Sequence, residues 1–364
     1  MSESATESAA ERERRIQRAQ VGEDDAGVRL DKWLRQRVGK IPQSRIEGLL
    51  RRGRIRVQNS RARAGQRLNS GEEVSWPSAL HADDAPRKTR RSIDPKMLAE
   101  ITERVIHQDD HFVAVNKPAG LAVQGGSKQR QSLDAILADM FSETPRLLHR
   151  LDRGTSGVVL FARSPEVARA AMESFRLHEV FKVYWAVVAG APAASEGQID
   201  LPLAKSGSVG GQKMRVDKTP RAKHALTLWV KIGTAELAGN SGAVSWLALA
   251  PVTGRMHQLR VHLAEIGAPV LGDGKYGGRA AFPPPASAQT QNGLLLFARR
   301  LILPDSRRPG EFREFIAPPP PPFADALAAL RLAPPSAEDP VRAARVAEAR
   351  LRVLAEGAKI SPDA

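Results

Sequence analysis

Apolar residues in the first part of the chain follow a helical period and then an alternating one. Leu30, Trp33, Leu34 and Val38 recur at three- and four-residue spacing, which predicts a helix that Pro42 stops. Ser44-Arg45-Ile46-Glu47 reads as a capping box opening a second helix, with Ile46, Leu49 and Leu50 as its apolar stripe and Gly53 at its end. Ile55 and Val57 alternate with Arg54 and Arg56, the period of a strand. Leu68, a turn at Asn69-Ser70-Gly71, and then Val74 and Trp76 predict a returning strand. Residues 28–78 therefore form a small unit of two helices and a β element.

A second, larger pattern starts near residue 100. Phe112–Val115 is a strand ending in the turn Asn116-Lys117-Pro118-Ala119-Gly120, and Gly157–Phe161 is a short buried strand. Ser164-Pro165 caps and starts a helix whose inner face carries Val167, Ala171 and Phe175. Strands follow at 182–189, 225–232 and 244–250. A helix is expected over Thr253–Ile266, stopped by Gly267, and a further strand through Leu294–Phe297. Many strands and fewer helices, not strictly alternating, argue for the α+β class. The expected organisation is a disordered tail over 1–27, a small domain over 28–78, a linker over 79–99, a large domain over 100–318, and a Pro/Ala/Arg-rich tail over 319–364. No internal repeat is visible.

Composition narrows the function. The 364 residues include no cysteine, which removes disulfides, Cys-ligated metal and thiolate nucleophiles together. No apolar run approaches the ~20 residues of a membrane helix. The N-terminus lacks the apolar core of a signal peptide, and its first 25 residues hold seven acids. A cytoplasmic protein with no membrane partner is expected. The net charge is +15, and residues 29–67 alone hold thirteen Lys/Arg against two acids. A second basic cluster, Arg87–Arg91, follows. A scattered excess of this kind reads as a solvated face; a density this high in a structured segment points to phosphate, and so to nucleic acid.

Three stretches could carry chemistry. His149-Arg150-Leu151-Asp152-Arg153-Gly154-Thr155-Ser156-Gly157 sets a carboxylate between two arginines just before a buried strand; flanking cations favour an ionised Asp152. On the residues alone, Asp152 is a structural ion-pair partner before it is a catalyst. In Lys182–Gly190, alternation puts Lys182, Tyr184 and Ala186 on one face, and Tyr184 is one of two tyrosines in the chain. It reads as a core residue, or as a group that stacks on a base. In Thr253–His262, Met256, Leu259 and Leu263 would face the core on a helix, with Arg260 beside them. An arginine so placed pairs with a buried acid, and Asp152 is the natural candidate. His257 and His262 are five apart, off a shared helical face, and no metal-ligand set appears. The glycine-rich Gly272–Gly278 lacks the spacing of a phosphate-binding loop, so no nucleotide cofactor is expected.

Taken together and in order, VNKPAGLAVQGGS, HRLDRGTSGVVLFARS, KVYWAVVAG, RAKHALT and TGRMHQLRVHLAEIGAPVLGDGKYG resemble the RluA-type large-subunit ribosomal-RNA pseudouridine synthases that carry an S4 RNA-binding domain. KIPQSRIEGLLRRGRIRV followed by RAGQRL matches the S4 part, and the likeness runs from about 28 to 316. It leans toward the subgroup that modifies several uridines near the peptidyl-transferase region. The resemblance implies an S4-like helix-helix-β domain, then a catalytic domain with a mixed, largely antiparallel sheet flanked by helices. It implies Asp152 as catalytic aspartate, Tyr184 as the tyrosine stacking on uracil, and Arg260 as the arginine paired with the aspartate. Arg150 would occupy the gap left by the flipped nucleotide. The S4-like segment would contact phosphates through Arg45, Arg51, Arg52, Arg54 and Arg56. The implied reaction needs no cofactor and no metal. The implied partner is 23S ribosomal RNA or a large-subunit assembly intermediate, met by a monomer. The alternatives are a synthase acting on transfer RNA and a non-catalytic RNA-binding assembly factor. Arg279–Gln291, Ser241–Val244 and the tail after 322 depart from the family pattern.

Overall fold

The computed structural model describes residues 15–39, 41–78, 80, 93–125, 131–207, 213–238, 242–284, 293–332 and 340–357. The chain divides into two compact units, Met1–Ser92 and Ile93–Ala364. The Arg87–Arg91 cluster, most of the expected linker, residues 1–14 and the end of the Arg279–Gln291 stretch lie outside the described residues.

In the first unit, helix α1 (Leu30–Val38) buries Leu30, Trp33, Leu34 and Val38, the residues its period marks. Helix α2 (Gln43–Arg51) buries Ile46, Leu49 and Leu50 against them. It starts one residue before the expected capping box, with Pro42 in the cap position. Proline's fixed φ suits a helix entrance, and its side chain makes no capping hydrogen bond. Strands β1 (Ile16–Gln20), β2 (Arg56–Val57), β3 (Ser60–Arg61) and β4 (Glu73–Pro77) form a sheet in the order β1-β4-β2-β3. The expected disordered tail of 1–27 is thereby corrected. Residues 16–20 pair with β4 from Ile16–Pro77 to Gln20–Glu73, which gives their backbone groups partners that no apolar period foretells. Trp33 lies edge-on to Trp76 at 5.8 Å and donates from Nε1 to Asp25.

The second unit is built on one large sheet. Its elements are α3 (Pro95–Glu103), β5 (Val105–Gln108), β6 (Phe112–Lys117), α4 (Leu133–Met140), β7 (Arg146–Leu147), β8 (Ser156–Ala162), α5 (Pro165–Arg176), β9 (Phe181–Ala189), β10 (Glu196–Asp200), β11 (Leu203–Ser206), β12 (Lys213–Val216), β13 (Leu226–Glu236), β14 (Ala243–Pro251), α6 (Gln258–Glu265), β15 (Leu296–Pro304), β16 (Phe312–Ile316), α7 (Pro321–Ala329) and α8 (Pro340–Gly357). The sheet order is β10-β13-β14-β9-β15-β8-β6-β5, with β16 beside β15 and β7 beside β8. Among the described residues, every pairing in this sheet is antiparallel except β15 with β8. This is the mixed, largely antiparallel α+β sheet that the sequence implied.

Helices cover both faces. One face carries Trp185, Trp246, Phe297 and Leu301 under α5, α7 and α8. On the other, Val113, Val159 and Phe161 pack with α3 and α4, while Ala186, Leu247 and Leu249 pack with α6. Ser164 caps α5 by accepting from Val167 N, with Pro165 in the first turn, as read from sequence. Two boundaries move outward. Helix α3 begins at Pro95, inside the expected linker, capped by Asp94. The expected C-terminal tail contributes α7 and α8. Leu351 is fully buried, and Glu348 accepts from Trp185 Nε1 at 2.9 Å while pairing with Arg300 at 2.9 Å.

Gly157 makes the single parallel pairing possible. Its φ is +114°, and a Cβ there would sit 2.2 Å from the Ala298 carbonyl oxygen. Only glycine lets β8 approach β15 so closely. Gly157→Ala is expected to destabilise the protein by at least ~2 kcal/mol from overpacking and backbone strain, read as a fall in denaturation midpoint. Arg350→Ala, which loses only a surface pair with Glu196, is expected to leave that midpoint unchanged.

Candidate active site

Asp152 stands in the loop that leads into β8. Leu151 beside it is buried in the core under α3 and α4, and Thr155 N donates to the Asp152 carbonyl at 3.1 Å, closing a turn. The turn is anchored from behind by Lys117 at the end of β6. Its ammonium is fully buried and donates to three carbonyls, those of Pro118 (2.9 Å), Leu121 (2.8 Å) and Arg153 (3.2 Å). Three N–H groups meet three acceptors. Burial pushes this ammonium down to about 7, and the charge of Asp152 works against that fall. Arg153 Nε and the Gly120 amide complete the tie between the two loops, at 2.7 and 2.8 Å.

Arg260 rises from α6. The helix begins at Gln258, five residues later than expected, because the buried Gln258 amide organises the preceding loop instead. Its Oε1 accepts from Thr253 Oγ1 and Arg255 N, and its Nε2 donates to the Leu226 carbonyl and Thr227 Oγ1. Met256, expected in the core, is therefore exposed, while Leu259 and Leu263 are buried. The Arg260 side chain is 12% exposed. Its main partner is not Asp152 but Asp273, which is 1% exposed. Nε reaches Asp273 Oδ2 at 2.8 Å and Nη2 reaches Oδ1 at 2.7 Å, the two-pronged geometry of guanidinium on carboxylate. Nη1 is left to face Asp152 Oδ2 at 3.5 Å. The expected pair exists, as the weaker half of a shared cation.

Tyr184 sits on β9 at the seam between the cores under α3/α4 and α6. Burial first, then the charge of Asp152, push its phenol well above the ordinary range, so it is protonated at neutral pH. It can stack and donate, and it is no base. Lys182, two residues earlier on the same face, is pushed down to about 8 by burial. His149 is pushed down to about 3, chiefly by burial and then by Lys182. It is neutral, accepts from Leu160 N at 3.1 Å and stacks on Phe175.

The structure thus brings Asp152, Arg260 and Tyr184 together. Arg150 is exposed two residues from Asp152. The five arginines of the small domain belong to the first unit. Arg51, Arg52, Arg54 and Arg56 are exposed and Arg45 is half-buried. Arg56 is also structural, donating to the carbonyls of Gly53 and Asn59 at 3.0 and 3.1 Å. Sequence reasoning missed Lys117, His257, Asp273 and Tyr276. The last two lie in the glycine-rich stretch set aside for lacking nucleotide spacing. The signal available was one acid followed by the second of only two tyrosines.

Residues 111–265 match the RNA pseudouridylate synthase family. The chain is 35% identical over 268 residues to the ribosomal large subunit pseudouridine synthase C of Rickettsia bellii (strain RML369-C), covering 70% of this chain and 84% of that protein. It is 33% identical over 267 residues to the protein of the same name from Vibrio vulnificus (strain CMCP6), covering 73% and 81%. Among solved structures it is similar to human RNA pseudouridylate synthase domain containing 4, at 29% identity and a TM-score of 0.54, over 66% of this chain and 98% of that one. The chain belongs to the RNA pseudouridylate synthase family. It is an enzyme of that reaction class, and its substrate is RNA. No helix among the described residues is long and apolar enough to cross a membrane.

Asp273→Asn keeps the shape and the oxygen that accepts from the Lys275 and Tyr276 amides, but removes the charge holding Arg260. Arg260 then swings onto Asp152. The expected result is a fall of about tenfold to a hundredfold in the single-turnover rate of pseudouridine formation, from misplacement alone, with RNA affinity retained.

Proposed function

We propose that this enzyme isomerises uridine to pseudouridine at several sites in 23S ribosomal RNA, with Asp152 as the catalytic carboxylate. The observation that carries this reading is the half-buried Asp152 carboxylate, 24% exposed, with Arg260 beside one oxygen and the protonated Tyr184 phenol within its field. The ribosomal substrate is supported by the names that the bacterial relatives carry.

The reaction is closed in atoms and electrons. The C1′–N1 bond breaks, the uracil turns, and a C1′–C5 bond forms; N1 gains a proton and C5 loses one. Such a reaction asks for an ionised carboxylate near C1′, C2′ or C6 and a surface that keeps the detached base in place. Asp152 supplies the first, with Arg260 balancing its charge. Tyr184 supplies the second, stacking on the ring and offering its O–H. The target must leave its stack, at a cost of a few kcal/mol. Arg150, exposed and adjacent, fills the space the nucleotide vacates.

The small domain acts as an S4-like RNA-binding module. Arg45, Arg51, Arg52, Arg54 and Arg56 hold phosphates, which position the RNA without reading its sequence. The enzyme acts in the cytoplasm as a monomer on ribosomal RNA or an assembly intermediate of the large subunit.

Asp152→Asn is expected to abolish pseudouridine formation while leaving RNA binding within about twofold of wild type. The readout is mapping of pseudouridine in large-subunit RNA from cells that carry only this variant. Sites that persist would sink the assignment, and a full ribosomal set with losses in transfer RNA would redirect the substrate. Replacing Arg51 and Arg52 together by alanine is expected to lower the slope of log affinity against log salt by about two, one per released phosphate contact.

A further inference from the structure

His257 has a backbone that a histidine rarely takes. It stands at the N-terminus of α6 with φ +54° and ψ 19°, in the left-handed region. Non-glycine residues held there are strained and persist where the surroundings dictate them. Here the surroundings are specific. His257 Nδ1 meets the Tyr276 hydroxyl at 2.6 Å, and Nε2 faces Asp152 Oδ2 at 3.7 Å. The Tyr276 hydroxyl is itself placed by the Met214 amide, which donates to it at 3.1 Å. The Tyr276 ring is placed by the Arg260 guanidinium, 5.1 Å from its centroid.

One hydrogen bond and one facing carboxylate choose a tautomer. Burial keeps His257 neutral, helped by Arg260 and Lys275 and against the pull of Asp152 and Asp273. A bare Nε2 lone pair facing a carboxylate would be repulsive. The proton therefore sits on Nε2, and the Tyr276 O–H donates to Nδ1. Both contacts to the Asp152 side chain, from Arg260 and from His257, fall on Oδ2. Among the described residues no hydrogen bond ends on Oδ1.

We propose that His257, set by Tyr276, is a positioning residue that anchors Asp152 through Oδ2 and leaves Oδ1 as the oxygen that meets the nucleoside. The inference rests on the reading of Asp152 as the catalytic carboxylate. A carboxylate free to rotate presents either oxygen at any angle. One held at Oδ2 by a cation and a neutral donor presents a single oxygen in a fixed plane, which is worth rate and not affinity.

Side-chain isosteres give the test. Glutamine places its amide where Nε2 lies and can still donate to Asp152; asparagine places its amide at Nδ1 and cannot. His257→Asn is expected to slow single-turnover pseudouridine formation about tenfold to a hundredfold with an unchanged Kd for RNA. His257→Gln is expected to recover to within about threefold of wild type. Tyr276→Phe is expected to slow the reaction about tenfold, and the double variant with His257→Asn to be no slower than His257→Asn alone. A His257→Gln enzyme as slow as His257→Asn, losses that appear in Kd, or additive losses would overturn the proposal. Should His257→Asn not fold, Tyr276→Phe carries the same comparison of rate with affinity. Asp152→Asn, assayed alongside, separates the two readings: an active Asp152→Asn removes the catalytic assignment itself, whereas full loss there with unaffected His257 variants removes only the anchoring.

Discussion

Arg260 is a guanidinium that cannot shed its proton, placed where water scarcely reaches it. Such a charge needs an anion beside it, and the manner in which the anion is supplied governs the site. If Asp152 alone paired with Arg260, the two-pronged geometry would occupy both of its oxygens. Asp273 takes that geometry instead, with bonds of 2.8 and 2.7 Å, and Asp152 receives one arm at 3.5 Å. The Asp152 carboxylate thus has a cation beside it without being locked in a two-pronged pair. The segment from Gly272 to Tyr276 exists in this shape to hold Asp273. Its Oδ1 also accepts from two amides of that segment, so loop and ion pair stabilise each other.

The sheet brings these groups together by one unusual join. β8, which follows Asp152, runs parallel to β15 and meets it only at Ser156 and Gly157. β9 lies on the other side of β15 and carries Tyr184 opposite Ala298. Ala298 therefore sits between the strand that Asp152 leads into and the strand that bears the tyrosine. Gly157 sets how close these approach. The Lys117 ammonium then fixes the Asp152 loop from the opposite side, through the Arg153 carbonyl. Sheet, glycine and buried lysine constrain one carboxylate from three directions.

Much of this was legible in the sequence, for reasons that differ residue by residue. Leu30, Trp33, Leu34 and Val38 announce α1 because burial acts on one helical face, and Ser164-Pro165 announces α5 because capping is local. Asp152, Tyr184 and Arg260 were found through resemblance. Their chemistry comes from convergence in space, which periodicity does not encode. The Thr253–Ile266 helix starts five residues later than its pattern suggests because Gln258 satisfies the Leu226 carbonyl and Arg255 amide with its side chain. Asp273 was missed because its partner is thirteen residues away across a glycine-rich turn. Strand β1 was missed because it is held by its pairing with β4 and not by a strong apolar stripe.

The excess of positive charge is used in two physically distinct ways. In the first unit, Arg51, Arg52, Arg54 and Arg56 stand exposed to solvent. In the second unit, burial works against charge. Lys117 is pushed to about 7, Lys182 to about 8 and His149 to about 3, so each sits near or past the loss of its proton. Arginine has no such escape, which is why the one deeply held guanidinium at the site comes with two carboxylates. A lysine at position 260 could relax by deprotonation and leave Asp152 unbalanced. The permanence of the arginine charge means that the half-buried Asp152 always has a cation beside it.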